Sequence, residues 1–377
     1  MPRWRLRLRP QSKNKTLSIV KGKKIGLRKY VALKLFNSLY DKAIEKHELR
    51  TLFWECTLRC NLACRHCGSD CRTDIAEKDM PLADFLRVLD EEITPNIDPS
   101  RVLIIFSGGE VLVRPDMEEA GREVTRRGYM WGMVTNGMAL TRERLYSLVN
   151  AGLRSISISF DGFENIHNHI RGNRLSFERA RTAIRNIRDI EGVTYDVITC
   201  VTPQLLPRLE EWKEFLISEG IRSWRIFSIF PAGRASKDGS LHLDAEQFRT
   251  LMEFVRHTRR EGRIELNYAC EGFLGSYEAE VRDHFYMCNA GVSVASIRVN
   301  GDISGCTSVR ANYTQGNIYR DRFWDVWQHR FEKFRNREWT RCGECKVCRV
   351  WDLCRGGGMH LRDDSGELMY CHYNMLK

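Results

Sequence analysis

No stretch of this 377-residue chain approaches the roughly 18 uninterrupted apolar residues of a membrane span. The N-terminus also lacks the apolar core of a secretory signal, because Lys34 and other charges break its hydrophobic runs. A cytoplasmic protein is the expectation. There is no internal repeat and no low-complexity tract. Acidic residues are scarce in one place: residues 1–50 hold 15 Lys/Arg against 3 Asp/Glu, whereas the remainder holds 45 against 46. The formal charge of +11 therefore sits on a short arm, and the body is neutral. A basic body would point to nucleic acid. A basic arm fits an acidic peptide, an anionic membrane surface, nucleic acid or plain solvation.

Cysteine is nearly missing from the middle of the chain, where Cys200 stands alone, yet the total is fourteen. The others fall in two groups, at 56–71 and 270–371. Without a secretory signal, thiols clustered this way point to metal sites rather than to disulfides. The length and a hydrophobic fraction of 42% suit a large core and one to three domains.

Residues 1–10 alternate Arg with Trp or Leu and read as strand-like or disordered. Residues 27–48 read as an amphipathic helix with Leu27, Val31, Leu35, Leu39 and Ala43 near one face. Such a helix packs on the body or serves as a membrane-surface or partner-binding element. From residue 51, apolar runs predict strands at 51–57, 101–107, 129–135, 154–160, 193–201 and 223–230. Helical patterns intervene at 81–94, 116–127, 141–151, 174–190 and 207–219. Six strands separated by helices imply parallel pairing through right-handed crossovers, and so an α/β open or partial (β/α)6 barrel. Ligands in such folds bind at the C-terminal strand ends. A helix at 244–260 follows, then a Cys- and Gly-rich tail with a strand signal at Ser296–Val299, for which metal would supply stability. The expected organisation is an arm (1–50), a barrel (51–235) and a helix with a cysteine-rich domain (236–377).

Directly after the first strand comes Cys60-Asn61-Leu62-Ala63-Cys64-Arg65-His66-Cys67. Three thiolates on one tight loop suit three irons of a cubane, leaving the fourth open to a small molecule. A structural zinc site wants four ligands, and Cys56 or Cys71 would supply the fourth, so this loop alone leaves zinc open. The second strand ends in Ser107-Gly108-Gly109-Glu110, where two glycines permit close approach to a ligand and Glu110 offers a carboxylate. The third ends in Thr135-Asn136-Gly137. The fourth runs through Ser159 to Asp161-Gly162, followed by His167 and Arg171, with Asp161 readable as a turn residue. Phe230-Pro231-Ala232-Gly233-Arg234 follows the sixth.

These motifs resemble the radical S-adenosylmethionine (SAM) superfamily. The resemblance implies a [4Fe-4S] cluster on Cys60, Cys64 and Cys67, with SAM on the open iron. An electron from the cluster then yields a 5′-deoxyadenosyl radical that abstracts hydrogen from substrate. It also implies SAM contacts from His66 near the adenine, from Gly108, Gly109 and Glu110 at the ammonium, and from Asn136, Ser159 and Arg171. The later cysteines, with twelve residues, Gly301 and four residues between Cys288 and Cys306, then Cys345, Cys348, Cys354 and Cys371, resemble the SPASM extension of peptide and protein maturases. That implies one or two auxiliary [4Fe-4S] clusters. By analogy Cys345, Cys348, Cys354 and Cys371 form one set. Gly358 stands where relatives have a cysteine, so Cys270 and Cys342 are expected to complete the other set with Cys288 and Cys306. The alternatives are an open iron, or a zinc ribbon on Cys342, Cys345, Cys348 and Cys354.

The function the resemblance implies is oxidative modification of a ribosomal peptide or protein, with ferredoxin or flavodoxin as electron donor. Thr307, where sulfatase maturases place an aspartate, weighs against that subgroup. No cobalamin-binding domain is visible. Two alternatives stand beside it: a radical SAM dehydrogenase of a small molecule, and a zinc-dependent nucleic-acid-binding protein using the basic arm, which the neutral body and the Gly-Gly-Glu placement oppose.

Overall fold

The computed structural model of the protein describes residues 25–269 and 271–377. Residues 1–24 of the arm, including the alternating segment at 1–10, and Cys270 lie outside the described residues. The first helix, α1, spans Leu27–Lys46. One sheet then organises the rest. Strands β1 (Thr51–Thr57), β2 (Leu103–Gly108), β3 (Met130–Thr135), β4 (Leu153–Ser159), β5 (Thr194–Val201) and β6 (Ser223–Ser228) lie side by side in chain order, all parallel. Their crossovers carry α2 (Leu82–Val88), α3 (Met117–Arg126), α4 (Arg142–Asn150), α5 (Glu164–Arg171), α6 (Ser176–Ile187) and α7 (Leu209–Ser218).

Each strand alternates, as a pleated backbone requires. In β1, Leu52, Trp54 and Cys56 face the helix layer, where Trp54 stacks on Phe85 of α2 at 4.4 Å. Ile104 and Phe106 do the same in β2, and Trp131, Ile156, Ile158, Val197, Trp224 and Ile226 continue the layer. Burying a side chain of this kind stabilises by about 1.5–3 kcal/mol. The intervening residues point to the concave side and mix apolar side chains such as Ile105 and Ile198 with Glu55, Ser107, Ser157, Asp196, Cys200 and Arg225, which share that face by register. The barrel therefore has a dry outer layer and a lumen of mixed polarity.

Three features differ from the expectations. The sheet does not stop at six strands. Helix α8 (Ala245–Glu261), started by the reciprocal Asp244/Gln247 cap and ended by Gly262 in the left-handed region, returns the chain to β7 (Glu265–Tyr268), parallel to β6. The cysteine-rich tail contributes β8 (Val294–Ile297), parallel to β1, with β9 (Asp302–Ser304) and β10 (Gly316–Asn317) antiparallel beyond it. Second, α5 was hidden: Asp161-Gly162 reads as a turn, but one short helix precedes the predicted one and ends at Gly172, φ 68°. Third, α1 packs on the body by a different face. Leu33, Asn37 and Tyr40 are buried, whereas Leu27, Val31, Leu35 and Leu39 are exposed. Asn37 Nδ2 donates to Asp352 O (2.6 Å), Tyr40 Oη donates to Cys288 O (2.6 Å), and Arg355 pairs with Asp41 (2.6 Å). An i, i+4 row identifies a stripe, but polar bonds chose the opposite one.

Candidate active site and cysteine centres

The loop carrying Cys60, Cys64 and Cys67 leaves the C-terminal end of β1 and is held from every side. Cys60 N–H donates to Arg72 O (3.1 Å), and Arg65 N–H donates to Ile170 O (2.8 Å). Arg234, from the motif after β6, donates from Nε to Cys64 O (2.7 Å) and from Nη1 to Asp70 (2.8 Å). Gly233 lies against the same loop: a Cβ there would meet Cys67 O at 2.5 Å. The stretch Phe230–Arg234, readable as a plain loop, is a clamp on the cysteine loop.

Gly108 and Gly109 also serve this loop. A Cβ on Gly108, φ +138°, would sit 2.0 Å from Thr57 O, and one on Gly109 2.2 Å from Arg59 O. Their close approach is to the chain's own β1 end. Glu110 is fully buried, and burial raises its pKa. Its carboxylate accepts from Leu112 N–H, Thr135 Oγ1 (2.7 Å) and Asn136 N–H (2.7 Å), tying β2 to β3. Asn136 Nδ2 donates to Asn61 Oδ1 (2.8 Å) and lies 3.9 Å from Cys60 Sγ.

Beyond β4 the geometry departs from the turn reading of Asp161. Its carboxylate is buried, accepts from Cys200 N–H (2.9 Å) and pairs with Arg171 (2.6 Å). Burial pushes this carboxyl up, but Arg171 and His66 outweigh it and hold it below the usual range. Arg171 Nη1 reaches Cys64 Sγ at 3.7 Å, so one guanidinium couples the cysteine loop to β4. His66 is buried, which lowers its pKa to about 4, and its Nδ1 has no partner. Ser159 is half-buried on the lumen side. Cys200, mentioned in the sequence only as a solitary thiol, has its sulfur within 4.8 Å of His66 and Asp161 ligand atoms. Its only sequence signal is strand parity: it shares a face with Asp196.

In the tail, Cys345, Cys348, Cys354 and Cys371 line one pocket with Phe273, Trp351 and Tyr370. Burial raises the pKa of the Cys306 thiol, and nearby Cys288 raises it further. Arg362 approaches Cys345 Sγ at 3.4 Å and Cys342 Sγ at 3.9 Å, so Cys342 lies on the Cys345 side. At Gly358 a Cβ would meet the His360 ring at 2.6 Å and Glu271 O at 2.8 Å.

The donor sets were tested against zinc and cubanes. The thirteen described cysteines are all unpaired. Four sulfurs on tetrahedral zinc, at about 2.3 Å from the metal, lie about 3.8 Å apart. Among the described residues, no three cysteine sulfurs lie within 4.8 Å of one another. Three thiolates on one loop, with the Arg171 guanidinium beside Cys64 Sγ, are a donor set that fits a cubane with one open iron.

The lumen holds two separate arginine–carboxylate pairs, one at β1 and one between β5 and β6. Arg310 pairs with Glu55 (2.7 Å) and Arg225 with Asp196 (2.8 Å), while Arg298 has no carboxylate among its pairs. Nε of each arginine is buried without a partner, as are the hydroxyls of Ser107, Ser296 and Ser304. A native interior leaves few such groups unsatisfied, so these donors and hydroxyls are open to water or to a polar ligand.

A family model described as the radical SAM superfamily matches residues 54–216, and the SPASM iron-sulfur cluster-binding domain matches 288–349. The AdoMet-dependent heme synthase of Oleidesulfovibrio alaskensis is 26% identical over 349 residues, 87% of this chain and 88% of its own. The mycofactocin maturase MftC of Mycolicibacterium smegmatis is 30% identical over 315 residues, 82% of this chain and 77% of its own. Native anSMEcpe with bound AdoMet superposes with a TM-score of 0.68 at 17% identity, over 87% of this chain and 95% of that one, a likeness of fold.

Proposed function

This chain belongs to the radical SAM superfamily and carries a C-terminal SPASM domain, and from that premise we propose that it oxidatively modifies a ribosomally made peptide or protein. Its cofactors are S-adenosylmethionine, the [4Fe-4S] cluster that binds it, and auxiliary [4Fe-4S] clusters. When bound, they supply the electron that splits SAM, the 5′-deoxyadenosyl radical that takes hydrogen from substrate, and an acceptor for the substrate's electron. Membership in this enzyme family replaces the zinc-dependent nucleic-acid-binding alternative.

We assign the first cluster to Cys60, Cys64 and Cys67. Arg171 keeps positive charge beside Cys64, and Asp161 holds Arg171 in place. The low pKa of His66 keeps its ring neutral at physiological pH, with Nδ1 free to meet an adenine. Gly108, Gly109, Glu110, Asn136 and Ser159 complete the SAM contacts. One auxiliary set is Cys345, Cys348, Cys354 and Cys371; of the expected second set, Cys270, Cys288, Cys306 and Cys342, we keep Cys288 and Cys306, because Arg362 holds Cys342 beside Cys345. Low-potential chemistry suits a cytoplasmic location and a ferredoxin or flavodoxin donor.

The observation that carries the peptide reading is the set of partnerless buried donors on Arg298 and Arg310 beside Glu55, which match amide and carboxylate oxygens. The maturase relative is named for the same class of work. A second reading, a carboxylate-bearing small molecule, is favoured by Arg298, whose guanidinium bonds the Val309 carbonyl and pairs with no carboxylate among the described residues, and by the heme synthase relative. The test incubates reconstituted protein, SAM and dithionite with small peptides encoded beside its gene. Loss of two hydrogens from a peptide supports the first reading. 5′-Deoxyadenosine formation stimulated only by free carboxylates establishes the second.

A further inference from the structure

Helix α1 has two faces of opposite character. Leu33, Asn37 and Tyr40 seat it on the cysteine-rich domain. On the other side Leu27 (78% exposed), Val31 (49%), Leu35 (66%) and Leu39 (63%) form one row at four-residue spacing, with Tyr30 beside it. These five are half of the ten large exposed hydrophobic residues among the described residues. The row is about 18 Å long at 1.5 Å per residue. Arg28, Lys34, Lys42 and Lys46 are exposed around it. The sequence that runs into the helix, residues 1–24, contains nine Lys/Arg and no Asp/Glu.

We propose that the exposed row of α1, with the cations around it, docks the enzyme on an anionic phospholipid bilayer. The row is a ridge on a helix rather than a groove, so it suits a flat, deformable surface. An apolar row laid into the acyl boundary and a polybasic segment on the headgroups are the two signals that together give stable, reversible anchoring. Each Lys or Arg near the surface adds to that attraction. Nucleic acid would use the cations and leave the leucines in water. A second copy would bring two cationic helices together against their own repulsion. Through Tyr40, the docked helix lies against the main chain of Cys288, so binding would turn the auxiliary-cysteine domain towards the membrane.

The test is co-sedimentation of the full-length reconstituted protein with phosphatidylcholine vesicles, with and without phosphatidylglycerol. Binding is expected only with phosphatidylglycerol and is expected to weaken as salt rises. Val31→Asp/Leu35→Asp is expected to weaken it tenfold or more while 5′-deoxyadenosine formation continues. If that pair does not fold, Leu35→Ser/Leu39→Ser reads the same row. Removing residues 1–24 is expected to lower affinity several-fold and flatten the salt dependence. The proposal fails if vesicles are not bound, or if the aspartate pair binds like the parent. It also fails if the pair instead converts a dimer to a monomer without lipid, making the row a subunit interface. Stronger binding to neutral vesicles after removal of residues 1–24 would show that the segment covers the row, and would equally overturn it.

Discussion

The barrel and the cysteine-rich tail reach order by different routes. In the barrel, seven parallel strands share continuous hydrogen bonding, and a layer of fully buried tryptophans and aliphatics lies under the helices. Its cofactor loop is a passenger at a strand end, held by backbone carbonyls, two glycines and Arg234. In the tail, strands are two to four residues long and helices four to seven. Arginines there cap carbonyls in place of regular structure: Arg362 donates to Gly356 O and Gly366 O, and Arg337 to Gly357 O. We expect the first region to be stable enough to present its cysteines, and the second to depend on metal at its cysteines for stability. The barrel should therefore tolerate loss of its cluster, and the tail should not.

The largest expected effect separates chemistry from folding. Cys60→Ala/Cys64→Ala/Cys67→Ala should abolish 5′-deoxyadenosine formation and remove about four of about twelve irons. Its thermal unfolding should stay close to the parent's. A collapse of the barrel in calorimetry would break the comparison. Next, Cys345→Ala/Cys371→Ala should also remove about four irons, but here the tail should open to limited proteolysis while a barrel fragment survives. Uniform digestion of both regions would show that they unfold as one unit.

Within the barrel, Arg171→Met strands the buried Asp161 carboxylate, which costs about 3–5 kcal/mol. Urea titration of the variant measures that loss, and a change below about 1 kcal/mol would mean the pair is hydrated. The smallest effect sharpens the comparison through pH. Glu219 accepts from Arg181 (2.7 Å) and Arg185 (2.7 Å) on the helix layer. Burial pushes its carboxyl up, but the two arginines prevail and hold it at about 2, against an ordinary 4.5. A depressed folded pKa stabilises above the ordinary value, and the gain is lost as pH falls from there through about 2. Because Arg185 is half exposed, Glu219→Gln should cost roughly 1–2 kcal/mol at neutral pH. Near pH 2 most of that cost should be gone. Denaturant midpoints at the two pH values check this.

The barrel was the more legible region because its signals are local. Strand β1 was read at 51–57 and lies there, and the other five lie within two residues of their predicted limits. The helices at 116–127, 141–151 and 244–260 are equally close, whereas 81–94 ends early in a π-helical turn at Leu89–Ile93. Strand β7 escaped notice because it is four residues long and owes its place to β6. In the site, the cysteine loop and Gly108-Gly109-Glu110 were legible from residue type and strand position. Asp161 was not, because its partner Arg171 lies on a helix that the turn signal concealed.

The sequence alone determined the order of the first six strands and of the helices between them apart from α5, the confinement of positive charge to the arm, and the three-cysteine loop at the end of β1. Periodicity, charge and spacing all act within a few residues. The tertiary structure decided that β8 joins the barrel beside β1, that Cys200 meets His66 and Asp161, and that α1 turns its leucines away from the body. Each of these depends on contacts between segments far apart in the chain. There a hydrogen bond such as Tyr40 to Cys288 O selects one packing among several that local pattern permits.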